Sequence, residues 1–172
     1  MAYEQHTTDA KSISARCAVI TLSDTRTEAT DTSGRRMREL LEADGHTAAR
    51  YQILPDDPQQ LAPLLDQFLA DVGVDAILTN GGTGISRRDN TIAVVESKLT
   101  LPLPGFGELF RMLSYEQIGS GAILSRAVGG VAGAAPHRKL LFALPGSTKA
   151  VELAMTRLIL PELRHLLAEV RK

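Results

Sequence analysis

The stretch Ile77-Leu78-Thr79-Asn80-Gly81-Gly82-Thr83-Gly84-Ile85-Ser86-Arg87-Arg88-Asp89-Asn90-Thr91 decides the reading of the whole chain. An apolar run that begins at Ala76 empties into three glycines in four positions, then into Ser86, two arginines, a carboxylate and a helix start. Gly81, Gly82 and Gly84 carry no Cβ and can take φ > 0, so backbone N–H groups there can converge on phosphate oxygens. A helix starting at Asn90 or Thr91 adds free N–H donors and the positive end of a dipole. The Walker A pattern fails, because Gly84 is followed by Ile85 and Ser86 rather than by Lys and a hydroxyl residue. The dinucleotide fingerprint fails as well, since its third glycine position holds Arg87. On the residues alone a plain strand-to-helix turn with solvated arginines remains open beside the anion site.

Upstream, Cys17-Ala18-Val19-Ile20-Thr21-Leu22 is nearly continuous in apolar residues, as in a strand covered on both faces. Ser23-Asp24-Thr25-Arg26 follows at its carboxyl end, where open α/β sheets bind ligands. Asp31-Thr32-Ser33-Gly34 opens a helix through Asp44, with Met37, Leu40 and Leu41 at helical spacing and Gly45 as its stop. His46 to Leu54 reads as a second strand. Its Arg50 and Gln52 alternate with Tyr51 and Ile53, which points to a sheet edge or a half-exposed strand. Asp57 is a natural N-cap with Pro58 at the first helical position of a helix reaching Ala70, and Pro63 is expected to bend it. The third strand is Asp75 to Thr79. Strand, helix, strand, helix, strand with short connections predicts a parallel, doubly wound sheet.

Downstream, Thr91 to Leu99 is predicted helical, with Ile92, Val95 and Leu99 as its stripe. Leu101 to Pro104 is extended, because each proline pushes its predecessor out of the α region. Phe106 to Ile118 is the next helix. Two strands, Ile123 to Val131 and Leu140 to Leu144, are predicted to form a hairpin through Ala134 to Arg138. Pro145-Gly146-Ser147-Thr148 is a second glycine turn, with Ser147 as the N-cap of a last helix toward Val170 that Pro161 should interrupt near Leu160. The fold expected is a three-layer α/β/α sandwich, a mostly parallel central sheet with one antiparallel hairpin near its edge.

The 172 residues make one domain's worth of chain, expected as a single domain over 15–172 behind a disordered tail over 1–14. Net charge is −1, aromatics are 4% and Trp is absent, a balance that gives no nucleic-acid surface. Cys17 sits inside an apolar run and is expected to be a buried thiol. The first residues lack the apolar core of a signal peptide, and no apolar run approaches the ~18 residues of a membrane span, so a cytoplasmic location is expected. His6, His46, His137 and His165 show no zinc-ligand spacing.

Two carboxylates stand out, Asp89 directly after the glycine loop and Asp56 at the end of the second strand. In a doubly wound sheet both can reach the crevice at the strand ends and hold Mg²⁺ beside phosphates. Their ordinary alternatives are an N-cap for Asp89 and a turn residue for Asp56.

Thr79-Asn80-Gly81-Gly82-Thr83-Gly84 with Arg87-Arg88-Asp89 resembles the signature of the molybdopterin-binding family of molybdenum cofactor synthesis. Thr21-Leu22-Ser23-Asp24, Asp31-Thr32-Ser33-Gly34, Leu54-Pro55-Asp56 and Leu124-Ser125-Arg126 resemble it too, and Gly105 to Gly119 is similar to its bacterial B-type branch. The resemblance covers about Arg16 to Val170 and implies a molybdopterin adenylyltransferase that uses Mg²⁺ and ATP. It implies Asp56 and Asp89 as catalytic, metal-holding residues, and Ser23, Thr79, Gly81, Gly82, Thr83, Gly84, Ser125, Arg126, Gly146 and Ser147 as substrate-binding residues. Ser125 and Gly146-Ser147 fall on the pterin side. It also implies a homotrimer or homohexamer, with part of Phe106 to Ile118 at the subunit contact. Some B-type members lack the acidic pair, so a non-catalytic pterin-binding or scaffold protein is the alternative. This chain keeps both aspartates.

Overall fold

The computed structural model describes residues 13–86 and 89–172. One sheet organises the chain, in the order β2-β1-β3-β6-β5-β4. Its strands are β1 (Arg16–Leu22), β2 (Thr47–Leu54), β3 (Ala76–Asn80), β4 (Leu99–Pro102), β5 (Val128–Ala132) and β6 (Lys139–Leu144). β2, β1, β3 and β6 run parallel, whereas β5 is antiparallel to both of its neighbours, β6 and β4. The helices are α1 (Thr32–Ala43), α2 (Pro58–Ala70), α3 (Thr91–Lys98), α4 (Pro104–Ile118), α5 (Thr148–Ala154) and α6 (Leu160–Val170). The expected sandwich is therefore present.

The central strands alternate between two cores. Cys17, Val19 and Leu78 pack with Met37, Phe110, Val151 and Leu163 from α1, α4, α5 and α6. Ala18, Ile20 and Ile77 pack with Leu61, Leu65, Ile92 and Val95 from α2 and α3. Burial on both faces is why these strands read as apolar runs, each fully buried Leu, Ile or Val contributing about 1.5–3 kcal/mol. β2, at the sheet edge, has no fully buried residue. Cys17 is fully buried, which pushes its thiol up to about 12.

The caps follow the sequence at α1 and α2, where Asp31 accepts from the Gly34 amide and Asp57 from that of Gln59. Four expectations change. Ile123 to Arg126 is not strand: Gly119–Leu124 is a 3₁₀ turn and β5 begins at Val128, opposite Ala143. β6 ends at Leu144 as expected, and Pro145 has no N–H with which to extend the ladder. The extended prolyl segment becomes the edge strand β4, with Pro102 at its end, a placement that suits a residue unable to donate. The last helix is not stopped by Pro161. A π turn at Met155–Ile159, in which the Leu160 amide donates to Met155 O, absorbs the missing N–H and the helix continues.

Phe110 does not face outward for a subunit contact. It is 1% exposed and stacks on Phe106, which meets Phe142 edge-on. The exposed apolar side chains of α4 are Leu109, Met112, Tyr115 and Ile118.

Candidate functional site

From β1 the chain goes to β2 on one side and to β3 on the other, so the sheet has a topological switch point between β1 and β3. Loops at the carboxyl ends of the strands open a crevice there. The Ser23–Arg26 segment follows β1, Asp56 follows β2, the glycine loop follows β3, and Gly146 and Ser147 follow β6. The strand ends meet too closely for side chains. Gly81 has φ 98° and donates its N–H to Leu144 O at 3.0 Å, and a Cβ there would lie 2.2 Å from Leu22 O. A Cβ on Gly146 would lie 3.1 Å from the α-carbon of Gly81.

Gly82, at φ 61°, is overhung by two oxygens: a Cβ there would sit 2.5 Å from Asp56 Oδ1 and 2.1 Å from Thr91 Oγ1. Two residues on, the same point at Gly84 lies 2.7 Å from Asp89 Oδ2. Gly84 itself has no positive φ among the described glycines, so its use is space rather than conformation. Asp56 and Asp89, far apart in sequence, thus converge on one glycine loop. Both are half-buried. Among the described residues no three His, Cys, Asp or Glu side chains gather into a protein-only metal cage. Two carboxylates beside a glycine loop are instead the kind of donor set that Mg²⁺ can share with ligand phosphates.

Asp89 is not an N-cap. α3 starts at Thr91 behind Asn90, which makes no side-chain cap bond, and the Asp89 carboxylate instead accepts the Ser86 N–H at 2.7 Å. Hydrogen bonds from the Ser86 side chain and from the Ser86 and Gly84 amides, with Arg126 nearby, hold its carboxyl below the usual range. Asp56 donates its amide to Asp24 Oδ1 at 3.2 Å. Ser23 Oγ accepts from the Thr25 and Arg26 amides, and Ser147 Oγ caps α5 through the Ala150 N–H at 3.2 Å. Thr79 Oγ1 and Thr91 Oγ1 are buried with no hydrogen-bond partner, an arrangement that costs about 1–3 kcal/mol per group. Arg126 donates to three carbonyl oxygens of the loop, Thr83, Gly84 and Asp89. Arg87 and Arg88 lie outside the described residues.

A cavity of about 460 Å³ adjoins the loop, and Thr83, Gly84, Ser125 and Ser147 line it together with Phe110 and Ser114. Four residues expected to bind substrate therefore share one recess. Ser125 enters it from the end of the 3₁₀ turn, not from a strand.

Beneath the crevice lies a polar knot that sequence reasoning missed. Asp31, fully buried, accepts from Thr21 Oγ1 at 2.5 Å, Tyr51 Oη at 2.7 Å, Ser33 Oγ at 3.1 Å and Arg26 Nη1 at 3.1 Å, besides the Gly34 amide. Burial pushes this carboxyl up, but the hydrogen bonds together outweigh it and hold it below its ordinary value. Asn80 joins the knot, donating to Thr21 Oγ1 and accepting from Ser33. Arg26 Nη2 donates to Gly146 O at 3.1 Å, tying the loop after β1 to the turn after β6. The available signal was Thr21 and Asn80, polar residues at the ends of otherwise apolar strands.

The fold and this crevice define a doubly wound α/β protein with a glycine loop flanked by two carboxylates at its switch point. Residues 18–165 match the family described as "Probable molybdopterin binding domain", and the chain belongs to that family. It is 50% identical over 173 residues to the molybdenum cofactor biosynthesis protein B of Halalkalibacterium halodurans, covering all of this chain and 99% of the relative. Among solved structures, a molybdenum cofactor biosynthesis protein B superposes with TM-score 0.87 at 49% identity, covering 92% of this chain and 96% of the other. The tungsten cofactor synthesizing protein MoaB from Pyrococcus furiosus gives TM-score 0.83 at 35% identity, covering 92% and 98%.

Proposed function

We propose that this protein acts in molybdenum cofactor biosynthesis and adenylylates molybdopterin with ATP before metal insertion. The observation that carries the reading is the convergence of Asp56 and Asp89 on the Gly81–Gly84 loop at the switch point, in a chain whose relatives are named for that pathway. Loop amides of Gly82 and Thr83 bind phosphate, Gly81 and Gly84 shape the loop around it while their own amides bond Leu144 O and the Asp89 carboxylate, and Ser23 and Thr79 stand at the adjoining strand ends. Ser125, Gly146 and Ser147 line the pterin side, in or beside the cavity next to the loop. Asp56 and Asp89 would hold Mg²⁺, which supplies neutralisation of phosphate charge. An oxygen of the terminal phosphate of molybdopterin attacks the α-phosphorus of ATP, the α–β phosphoanhydride bond breaks, and pyrophosphate leaves. Such a transfer asks for positioning and charge stabilisation rather than for a protein nucleophile.

The expected partners are a pterin phosphate, a nucleotide and further copies of the chain, as a homotrimer or homohexamer. Leu109, Met112, Tyr115 and Ile118 give α4 an outward apolar face for that contact. Among the described residues no helix is long and apolar enough to cross a membrane. Pyrophosphate release from ATP on addition of molybdopterin tests the reaction. Stoichiometric release supports it, and tight pterin binding without release would make the protein a non-catalytic pterin binder or scaffold.

A further inference from the structure

Arg126 stands at the junction between the 3₁₀ turn and β5, and its guanidinium donates to both ends of one segment. Nε bonds Thr83 O at 3.0 Å, and Nη2 bonds Asp89 O at 2.8 Å and also Gly84 O. Among the described residues, the other hydrogen bonds of Thr83–Asp89 are local, joining Gly84 and Ser86 to Asp89. Ordering a glycine-containing segment costs conformational entropy, and binding is weakened when ligand must impose that order. A planar fork that holds three carbonyl oxygens at once fixes Thr83, Gly84 and Asp89 in advance, with a geometry more rigid than a freely rotating ammonium supplies.

We propose that Arg126 is a positioning residue: its Nε and Nη2 donors tie Asp89 to Thr83 and Gly84, so that the Asp89 carboxylate and the glycine-loop amides are set before a phosphate ligand arrives. This assigns those donors to the loop rather than to substrate. It rests on the functional reading only in treating the loop as a phosphate site. The three bonds are part-buried at the crevice and belong to loop rather than to core packing, so the fold survives removal of the guanidinium.

The test compares parent, Arg126→Ala and Arg126→Lys by amide hydrogen exchange, melting temperature and titration with Mg-ATP. In Arg126→Ala, exchange of the amides around Gly84–Thr91 accelerates on the order of tenfold or more, while β3 and α1 keep their protection. Mg-ATP affinity falls, the melting temperature stays near the parent's, and free guanidinium restores part of the affinity. Arg126→Lys falls between. Unchanged loop exchange in both variants overturns the proposal, and so does faster exchange with unaltered Mg-ATP affinity. A parent that binds Mg-ATP yet transfers no AMP sinks the adenylylation reading alone. The exchange comparison needs no ligand and decides the clasp by itself where nucleotide binding is too weak to titrate.

Discussion

At the amino end of the sheet Asp75 accepts four N–H bonds, all at 2.9 Å, from the Arg16 amide, Arg16 Nε and Nη2, and Arg171 Nη2. At the carboxyl end Asp89 takes its hydrogen bonds from within its own loop and stays half-buried beside Gly84. Lys139, 3% exposed, is spent in the same way as Arg16, on the carbonyl oxygens of Asp71 and Val74. Thr79 and Thr91, under the crevice, keep hydroxyls without partners. Asp75 and Lys139 at one end are held by several hydrogen bonds each and brace the strand starts. Polar groups at the other end are arranged around a loop shaped by glycine, with capacity left for a ligand.

One substitution made at both ends should separate brace from site. Asp89→Asn keeps size and loses charge, so the adenylyl-transfer rate should fall on the order of 10²–10⁴ while melting temperature and pterin affinity hold. A variant that transfers AMP at the parent rate would remove Asp89 from the mechanism. Asp75→Asn should do the reverse and cost about 1–2 kcal/mol of stability, modest because its arginine partners are half-exposed. Pterin and nucleotide affinities should not move, and a loss of either in a folded Asp75→Asn protein would break the comparison.

The amino end also predicts two pH windows. Burial opposes ionisation of Asp75, but Arg16 and then Arg171 prevail and lower its carboxyl to about 2. A depressed carboxylate stabilises the fold above its ordinary pKa, and that contribution disappears as pH falls from about 4 through about 2. Acid unfolding of Asp75→Asn should lack this step. His46 is buried, with Nδ1 accepting the Ala15 N–H at 3.0 Å. Burial first, then the nearby Arg164, lowers its pKa. The neutral ring therefore stabilises the fold above the ordinary value of about 6.5, and the contribution is lost as pH drops below it toward the folded value. This smaller effect should vanish in His46→Gln. A melting temperature flat from pH 7.5 to 5.5 in the parent contradicts it.

Assembly is the least direct check. Met112→Asp and Tyr115→Asp should split the oligomer in light scattering without loss of fold, whereas Phe110→Asp should unfold the chain because that ring is core. A parent that is monomeric at micromolar concentration removes the contact.

The parallel strands and the glycine loop were legible because burial on both faces leaves an apolar run, and a loop that must pass between strands leaves glycine. Asp57 and Ser147 were legible as caps because a cap is local chemistry. The start of β5 was not, since where a strand starts depends on its neighbour, here on Pro145 closing β6. Phe110 shows a similar limit. Periodicity marks the apolar positions of a helix but does not say which of them face the sheet. The knot around Asp31 escaped because its members come from β1, β2, β3, α1 and the loop after β1, and only the fold brings them together.

A crystal of the protein soaked with Mg-ATP and with molybdopterin tests the central claim most directly. The expected result is nucleotide phosphates on the amides of Gly82 and Thr83 within the glycine loop, a cation between them and Asp56 and Asp89, and pterin in the recess beside Ser125 and Ser147. Ligand bound elsewhere, for example in the groove between Glu96, Leu103 and Arg111, with the glycine loop empty, would contradict it.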